Sequence, residues 1–199
     1  MVEAMDRLIT VLAKLPSIGR RSAERMAVRL ASQRSHALLK QLCGALDEAD
    51  RNLQLCSSCG AITETGKDPC RICADDSRDN SMLCVVEGPG DVMLMESAGG
   101  YRGKYHVLMG RLSPAKKQGP DNIRVRELLQ RVKAERVKEL VLALNTDVES
   151  DATVAYLCER LHDVGVAVSR IAMGVPAGSG ISYADPVTLS RAVTGRQRL

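Results

Sequence analysis

The stretch that most constrains the fold of this chain is CSSCGAITETGKDPCRIC, residues 56–73, in which two Cys-x-x-Cys pairs lie ten residues apart. Each pair can present two thiolates to one ion, and ten residues suffice for a loop or hairpin that brings the pairs together. Four sulfur ligands suit a closed tetrahedral zinc site with no open position for catalysis. The spacing therefore predicts one structural Zn²⁺ ion, held by Cys56, Cys59, Cys70 and Cys73.

A redox site normally needs one Cys-x-x-Cys pair, and disulfides are disfavoured in a cytoplasmic chain. The four cysteines therefore favour a zinc site over a redox site or disulfides. We expect a cytoplasmic protein without membrane contact, because no apolar run approaches about 20 residues and no secretory signal pattern follows Met1. The remaining cysteines, Cys43, Cys84 and Cys158, stand alone among apolar residues and are predicted to be buried small hydrophobic side chains.

Positive charge is concentrated at the N-terminus. Residues 1–35 contain seven Lys or Arg and three acidic residues, whereas the rest of the chain contains 21 of each, so this segment holds the whole formal net charge of +4. Contact with a polyanion would begin there, although a solvated helix face would also explain the charge. The chain has no Trp, no Phe and only four Tyr, which argues against gripping single strands by stacking bases on aromatic rings.

Residues 8–30 predict two helices joined by a short turn around Pro16 and Gly19. The apolar positions at helical spacing are Leu8, Val11, Leu12 and Leu15 in the first helix, and Ala23, Met26, Ala27 and Leu30 in the second. The element resembles a helix-hairpin-helix motif, in which the turn usually reads Gly-apolar-Gly, and Ser17 stands here in place of the first glycine.

The second helix of this hairpin also carries three arginines four residues apart, on a face different from the apolar one. A turn at a helix N-terminus directs backbone N–H groups outward at the positive end of the helix dipole, which suits a phosphate oxygen. We predict DNA contacts from Gly19, Arg21, Arg25 and Arg29. The alternative is an ordinary helical pair without a ligand.

From residue 82 onward, apolar runs of four to six residues alternate with amphipathic segments, which predicts a mostly parallel sheet covered on both faces. Glu87 ends the first of these strands, and Asn145, Asp147 and Glu149 follow the third. Functional groups collect at the carboxyl ends of parallel strands, so we expect these two places to lie side by side.

A strand that ends in Glu and a later strand followed by an Asp-x-Asp-x-Glu-like loop are similar to the Toprim fold of topoisomerases and primases. With the hairpin and the four cysteines in front, the order resembles the RecR family of bacterial recombination mediators over essentially the whole chain. The stretches that support the resemblance are LPSIGRRSAERMA, the paired Cys-x-x-Cys, CVVEGPGDV, GYRGKYHVLMGRLSP, VESDATVAYL and YADPVTLSRAVTGR.

The resemblance implies a multidomain α plus α/β protein. Its parts are a helix-hairpin-helix DNA-binding domain at 1–53, a four-cysteine zinc module at 54–79, a Toprim-like α/β domain at 80–173, and a C-terminal arm with a helix at 174–199.

An active Toprim site resembles Glu plus Asp-x-Asp-x-Glu, and these positions read Glu87, Asn145, Asp147 and Glu149 in this chain. Asparagine offers an amide oxygen without charge, so Mg²⁺ would lose one of its anions, and no tyrosine stands out as a nucleophile. We interpret the acids as a remnant reused to bind a partner, which the resemblance identifies as RecO.

The resemblance implies a non-enzymatic DNA-repair protein that binds double-stranded and gapped or single-stranded DNA. With RecO, and in some settings RecF, it would help RecA displace SSB, and it would assemble into a ring-like homotetramer through N-terminal and C-terminal contacts. Two alternatives stay open: a Mg²⁺-dependent Toprim nuclease or primase-like enzyme, and a zinc-dependent protein adaptor without direct DNA contact.

Overall fold

The computed structural model describes residues 2–32 and 36–196, and the chain divides into two compact units between Leu53 and Gln54. The first unit is helical, and the second contains all of the sheet structure apart from the residue at the division. Within the described ranges, no helix combines the length and the apolar character needed to cross a lipid bilayer.

The first unit contains helices α1 (Glu3–Leu12), α2 (Arg20–Ala31) and α3 (His36–Asn52). α1 and α2 pack against each other around Ile9, Ala23 and Ala27, all of them buried. The two alanines have short side chains, which lets the helices approach closely, and Leu8, Leu12 and Ile18 fill the margins of this small core. The predicted pair of helices joined by a turn is confirmed.

The predicted apolar faces of this pair are wrong at three positions. Val11 is 60% exposed, Leu15 is 50% exposed and Met26 is 40% exposed. At 100° per residue, Val11 lies roughly 110° from the centre of the stripe that α1 buries, and Leu15 comes after the helix has ended at Leu12. Ile9, which does not belong to the predicted set, takes the central place.

The second unit begins with a two-stranded sheet and continues as an α/β domain. Its elements are β1 (Leu53–Leu55), β2 (Ile62–Glu64), α4 (Arg71–Ala74), β3 (Asp79–Val86), α5 (Pro89–Ala98), β4 (Gly103–Val107), α6 (Val125–Ala134), β5 (Glu139–Ala143), α7 (Val148–Leu161), β6 (Ala167–Arg170) and α8 (Pro186–Thr194). The larger sheet has the order β4-β3-β5-β6, and every neighbouring pair in it is parallel. The predicted parallel sheet is confirmed.

Both faces of this sheet are covered, and β3 shows how. Leu83 and Val85 point to one face and belong to a core completed by α6 and α7. Cys84 and Val86 point to the other face, because successive side chains of a strand alternate. The second face is covered by Val92 of α5 together with the segment that carries the paired cysteines. The four cysteines thus share a core with the α/β domain.

The three lone cysteines do not behave alike. Cys84 is buried in the sheet, as predicted, and burial raises the pKa of its thiol to about 12. The prediction is wrong for Cys43 and Cys158, which are exposed. Cys43 lies on α3, none of whose residues is buried, and Cys158 lies on the outer side of α7, whose inner side buries Leu157 and Leu161.

Candidate functional site

The four paired cysteines converge on one point. Their sulfur atoms all lie within 4.8 Å of one another, and the Sγ atoms of Cys59 and Cys70 are 3.6 Å apart. A tetrahedral zinc site with Zn–S bonds of about 2.3 Å places its sulfurs about 3.8 Å apart, so this spacing fits a bound ion. Cys56, Cys59 and Cys70 are buried and Cys73 is partly buried, as a closed structural site requires.

Backbone groups around the cluster favour thiolates. The N–H of Ala61 donates to Sγ of Cys59 over 3.4 Å, and the N–H of Cys70 donates to Sγ of Cys56 over 3.3 Å. The hydrogen bond between Cys59 and Cys73 raises the pKa of the Cys59 thiol and lowers that of the Cys73 thiol, while burial raises the pKa of Cys70. Cys73 is therefore the cysteine that gives up its proton to a metal ion most readily.

The first cysteine pair is fixed against the sheet through Gly60. This residue has φ +81°, and a Cβ atom there would lie 3.1 Å from Cβ of Val107, so the turn requires glycine. The N–H of Gly60 donates to the carbonyl of Cys56, and the N–H of Val107 donates to the carbonyl of Cys59, each over 2.8 Å. The metal-binding segment is thus hydrogen-bonded to the end of β4.

The acids predicted to meet at the strand ends do so. Glu87 follows β3, Asp147 caps α7 by accepting from the N–H of Ser150 over 2.9 Å, and Glu149 lies in the first turn of α7. We call Glu87, Asp147 and Glu149 the acidic cluster. Glu87 accepts hydrogen bonds from the backbone N–H of Asn145 (2.8 Å), from its side-chain amide (2.9 Å) and from the hydroxyl of Ser150 (2.6 Å).

These contacts give Asn145 a role that its position in the sequence does not reveal. Its side-chain NH₂ group donates to Glu87, which an aspartate carboxylate could not do. The residue that looks like a lost metal ligand therefore ties the end of β5 to the end of β3.

The centre of the acidic cluster contains the side chain of Arg111. Its Nε donates to Glu149 over 2.7 Å, and its Nη1 lies 2.6 Å from Asp147 and 3.5 Å from Glu87. The arginine follows β4 in the stretch MGRLSP, and the sequence reasoning missed it. The sequence signal that could have revealed Arg111 is a positively charged residue soon after β4, the strand that neighbours β3.

Two acids of the cluster, Asp147 and Glu149, remain ionised at neutral pH. The backbone N–H of Ser150, with Arg111 adding to the effect, holds the pKa of Asp147 below its usual value. The hydroxyl of Ser113 and then Arg111 do the same for Glu149. Exposure rises from 12% for the Glu87 side chain to 27% for Glu149 and 46% for Asp147, so Asp147 is the most accessible of the three acids.

Asp151, the next acid along α7, belongs to a different set of contacts. It pairs with Arg170 at the end of β6 over 2.8 Å and with Arg191 of α8 over 3.3 Å. Arg191 also reaches the carbonyl of Thr146, so these ion pairs attach the C-terminal helix to the loop before α7.

The N-terminal hairpin places its basic residues on an open surface. Ser17 has φ +63°, so it adopts the left-handed conformation that a glycine would favour, and Gly19 serves as the N-cap of α2. Arg21, Arg25 and Arg29 are all exposed. Within residues 2–32 and 36–196, none of these three arginines forms an ion pair with an acidic side chain.

Comparison with known protein families first defines the class of the α/β domain and then the family of the other segments. The parallel sheet with acids at its strand ends is a Toprim domain, and the family model of that description matches residues 81–172. The model described as the RecR helix-hairpin-helix matches residues 5–49, and that of the RecR C-terminal region matches residues 174–197.

Relatives extend the likeness to the whole chain. The recombination protein RecR of Anaeromyxobacter sp. (strain Fw109-5) is 44% identical over 100% of this chain and 99% of its own length. The RecR proteins of Chlorobium chlorochromatii and Deinococcus radiodurans are 45% and 49% identical, over 97% and 96% of this chain and 96% and 84% of their own lengths. The chain belongs to the RecR family of recombination proteins.

Proposed function

We propose that this protein is a DNA-binding recombination mediator that promotes loading of RecA on SSB-covered gapped DNA, together with RecO and RecF. The observation that carries the proposal is the exposed row of Arg21, Arg25 and Arg29 on a hairpin that matches the RecR helix-hairpin-helix model. Residues four apart on a helix are separated by about 6 Å along its axis, so the row can follow a phosphate backbone. Such contacts position a protein on DNA without reading sequence.

Gly19 completes this DNA-binding surface. It precedes the first turn of α2, whose backbone N–H groups lie at the positive end of the helix dipole. Apart from Gly19 and its two neighbours in the chain, no heavy atom of residues 2–32 and 36–196 lies within 4 Å of the position that a Cβ atom would take at Gly19, so the approach to these groups is open. A phosphate oxygen can bind there while the arginines contact neighbouring phosphates.

The same proposal makes the protein a binder of DNA and partners and not an enzyme. The three acids of the acidic cluster already bind a guanidinium group, and Asn145 turns its side-chain NH₂ group, which cannot bind a cation, towards Glu87. We assign Glu87, Asp147 and Glu149 to the surface that RecO contacts. Asp147 presents most of the accessible charge, and Glu87 holds the loop that positions it.

For the four-cysteine cluster we propose one structural Zn²⁺ ion. The donor set consists of four sulfurs in a buried pocket, which favours zinc over the oxygen-seeking Mg²⁺ and Ca²⁺. Because the cysteines share a core with β3 and β4, the ion would stabilise the sheet as well as its own loops.

We also propose self-association into a ring-like homotetramer. α3 exposes Leu38, Leu42 and Leu46 at a spacing of four, and none of its residues is buried within its unit. In the C-terminal arm, Ile181 and Tyr183 are 73% and 88% exposed. Apolar rows left open at both ends of the chain favour contacts between copies through the N-terminal and C-terminal regions.

The test is a reconstituted loading reaction. RecA filament formation is followed on gapped DNA covered with SSB, with this protein and RecO present or omitted. The proposal expects faster loading only when both are present, and no change in the DNA when this protein is incubated with Mg²⁺ alone. Mg²⁺-dependent cleavage or synthesis would favour the enzyme alternative. Binding to RecO without salt-sensitive DNA binding would favour the adaptor alternative.

A further inference from the structure

The side chain of Arg111 is held in place by the loop that carries it. The N–H of Leu112 donates to the hydroxyl of Thr153 on α7 over 2.9 Å, and the buried Ser113 donates to Glu149. A backbone bridge between Ser113 and Gln118 closes the following turn. Before Arg111, the N–H of Gly110 donates to the carbonyl of Glu87 over 3.0 Å, so the loop that brings the guanidinium to the acidic cluster is fixed on both sides of Arg111.

The acids of the cluster are held independently of Arg111. Backbone and side-chain groups of Asn145 and Ser150 bind Glu87, the N–H of Ser150 binds Asp147, and Ser113 binds Glu149. One oxygen of each acid, Oε2 or Oδ2, faces the guanidinium, and that of Glu87 also accepts from the side-chain amide of Asn145. Without Arg111, three carboxylate oxygens would still point at one place.

Charge and geometry together define what else could occupy that place. Three carboxylates around one guanidinium leave an excess of negative charge, and converging carboxylate oxygens are the ligands that hard divalent cations prefer. An arginine and a divalent cation at the same position exclude each other, because both need the same oxygens and carry charge of the same sign.

We propose that Arg111 is the built-in cation of the acidic cluster, and that it keeps divalent cations out of a site that the cluster would otherwise form. This inference deepens the non-catalytic part of the proposed function and rests on it. It also assigns Arg111 a positioning role, because the arginine fixes the side chains of Asp147 and Glu149 without any ion from solution.

The experiment measures Mn²⁺ binding by electron paramagnetic resonance on the full-length chain with its cysteine cluster loaded with metal. We expect wild type to bind no Mn²⁺ at the cluster at concentrations at which Arg111→Gln binds it, which corresponds to a difference in affinity of at least about tenfold. Adding Glu87→Gln to Arg111→Gln should abolish the gain. Arg126→Gln is the matched control, because it removes the same charge from an exposed arginine outside the cluster. The guanidinium of Arg126 lies 3.8 Å from the carboxylate of Asp121, which is also exposed.

Thermal unfolding provides a second measurement in case Arg111→Gln folds poorly. Mn²⁺ should then raise the melting temperature of Arg111→Gln more than that of wild type, because a ligand that binds only the folded state stabilises it. The proposal is overturned if wild type binds Mn²⁺ at a site that Glu87→Gln removes, or if Arg111→Gln shows neither tighter binding nor a larger thermal shift. Because no DNA is present, these outcomes are separate from those of the loading reaction.

Discussion

Replacing Arg21 and Arg25 together by alanine is the most direct test of the DNA-binding hairpin. Both side chains are exposed, and among the residues that the structure describes their one side-chain hydrogen bond is a 3.4 Å contact from Arg25 to Ser22. The substitutions leave the buried core of Ile9, Ala23 and Ala27 intact, so we expect the free energy of unfolding to change by no more than about 0.5 kcal/mol.

The expected loss of DNA affinity follows from the number of phosphate contacts removed. Each contact contributes about 0.9 to the slope of log affinity against log salt, so losing two should lower the slope by about 1.8. A fourfold increase in salt, from about 50 mM to about 200 mM, should then narrow the gap between wild type and variant by about twelvefold. The variant should therefore be most defective at low salt.

Fluorescence anisotropy with a gapped duplex across a salt series measures this slope. The control is the double variant Arg126→Ala/Lys133→Ala, which removes two positive charges from exposed positions of α6. It should keep the wild-type slope. Equal slopes for wild type and the Arg21/Arg25 variant, or the same fall in slope for the control, would refute the assignment of the hairpin as the DNA contact.

Three further predictions concern the other parts of the chain. Cys70→Ser should lose the bound metal and lower the melting temperature of the sheet as well as that of the cysteine loops, because the cysteines share a core with β3 and β4. Elemental analysis combined with thermal unfolding checks this, and a metal-free wild type that is equally stable would contradict it. The double variant Asp147→Lys/Glu149→Lys should bind RecO more weakly in calorimetry, and the affinity of wild type for RecO should fall as salt rises. An affinity of the double variant equal to that of wild type would remove these acids from the partner surface. His106 is fully buried, and burial lowers its pKa from 6.5 to about 4. Between these two pH values the imidazole is therefore protonated in the unfolded chain and neutral in the folded chain. Stability should therefore fall as the pH drops from 6.5 towards 4, by up to about 1.4 kcal/mol per pH unit, and His106→Gln should remove this part of the slope in urea unfolding; identical slopes would contradict it.

Two features of the site could be predicted because they depend on local spacing or on a general property of sheets. The paired Cys-x-x-Cys motif limits the geometry of its sulfurs within eighteen residues, and the structure brings them within 4.8 Å of one another. Glu87 and Asn145 are 58 residues apart, but both follow parallel strands, and the carboxyl ends of such strands share one edge.

The hydrophobic pattern located the helices of the hairpin but not all of their buried faces. Several registers of one helix can place apolar residues at a spacing of three and four, and the packing partner decides which of them is buried. Ala23 and Ala27 allow close approach on one side of α2, so Ile9 is enclosed while Met26 stays exposed.

The sequence by itself determined the helical hairpin, the parallel sheet, the clustering of the paired cysteines and the meeting of the acids, because each follows from periodicity, ligand spacing or strand direction. Only the tertiary structure decided what the acids bind. Arg111 lies 36 residues from Asp147 and 38 from Glu149, and no spacing rule connects it to either. It reaches them because β4 lies beside β3 and because α7 holds the loop that follows β4. Three carboxylates require a nearby cation, and the order of the strands determines that this cation is an arginine of the chain itself.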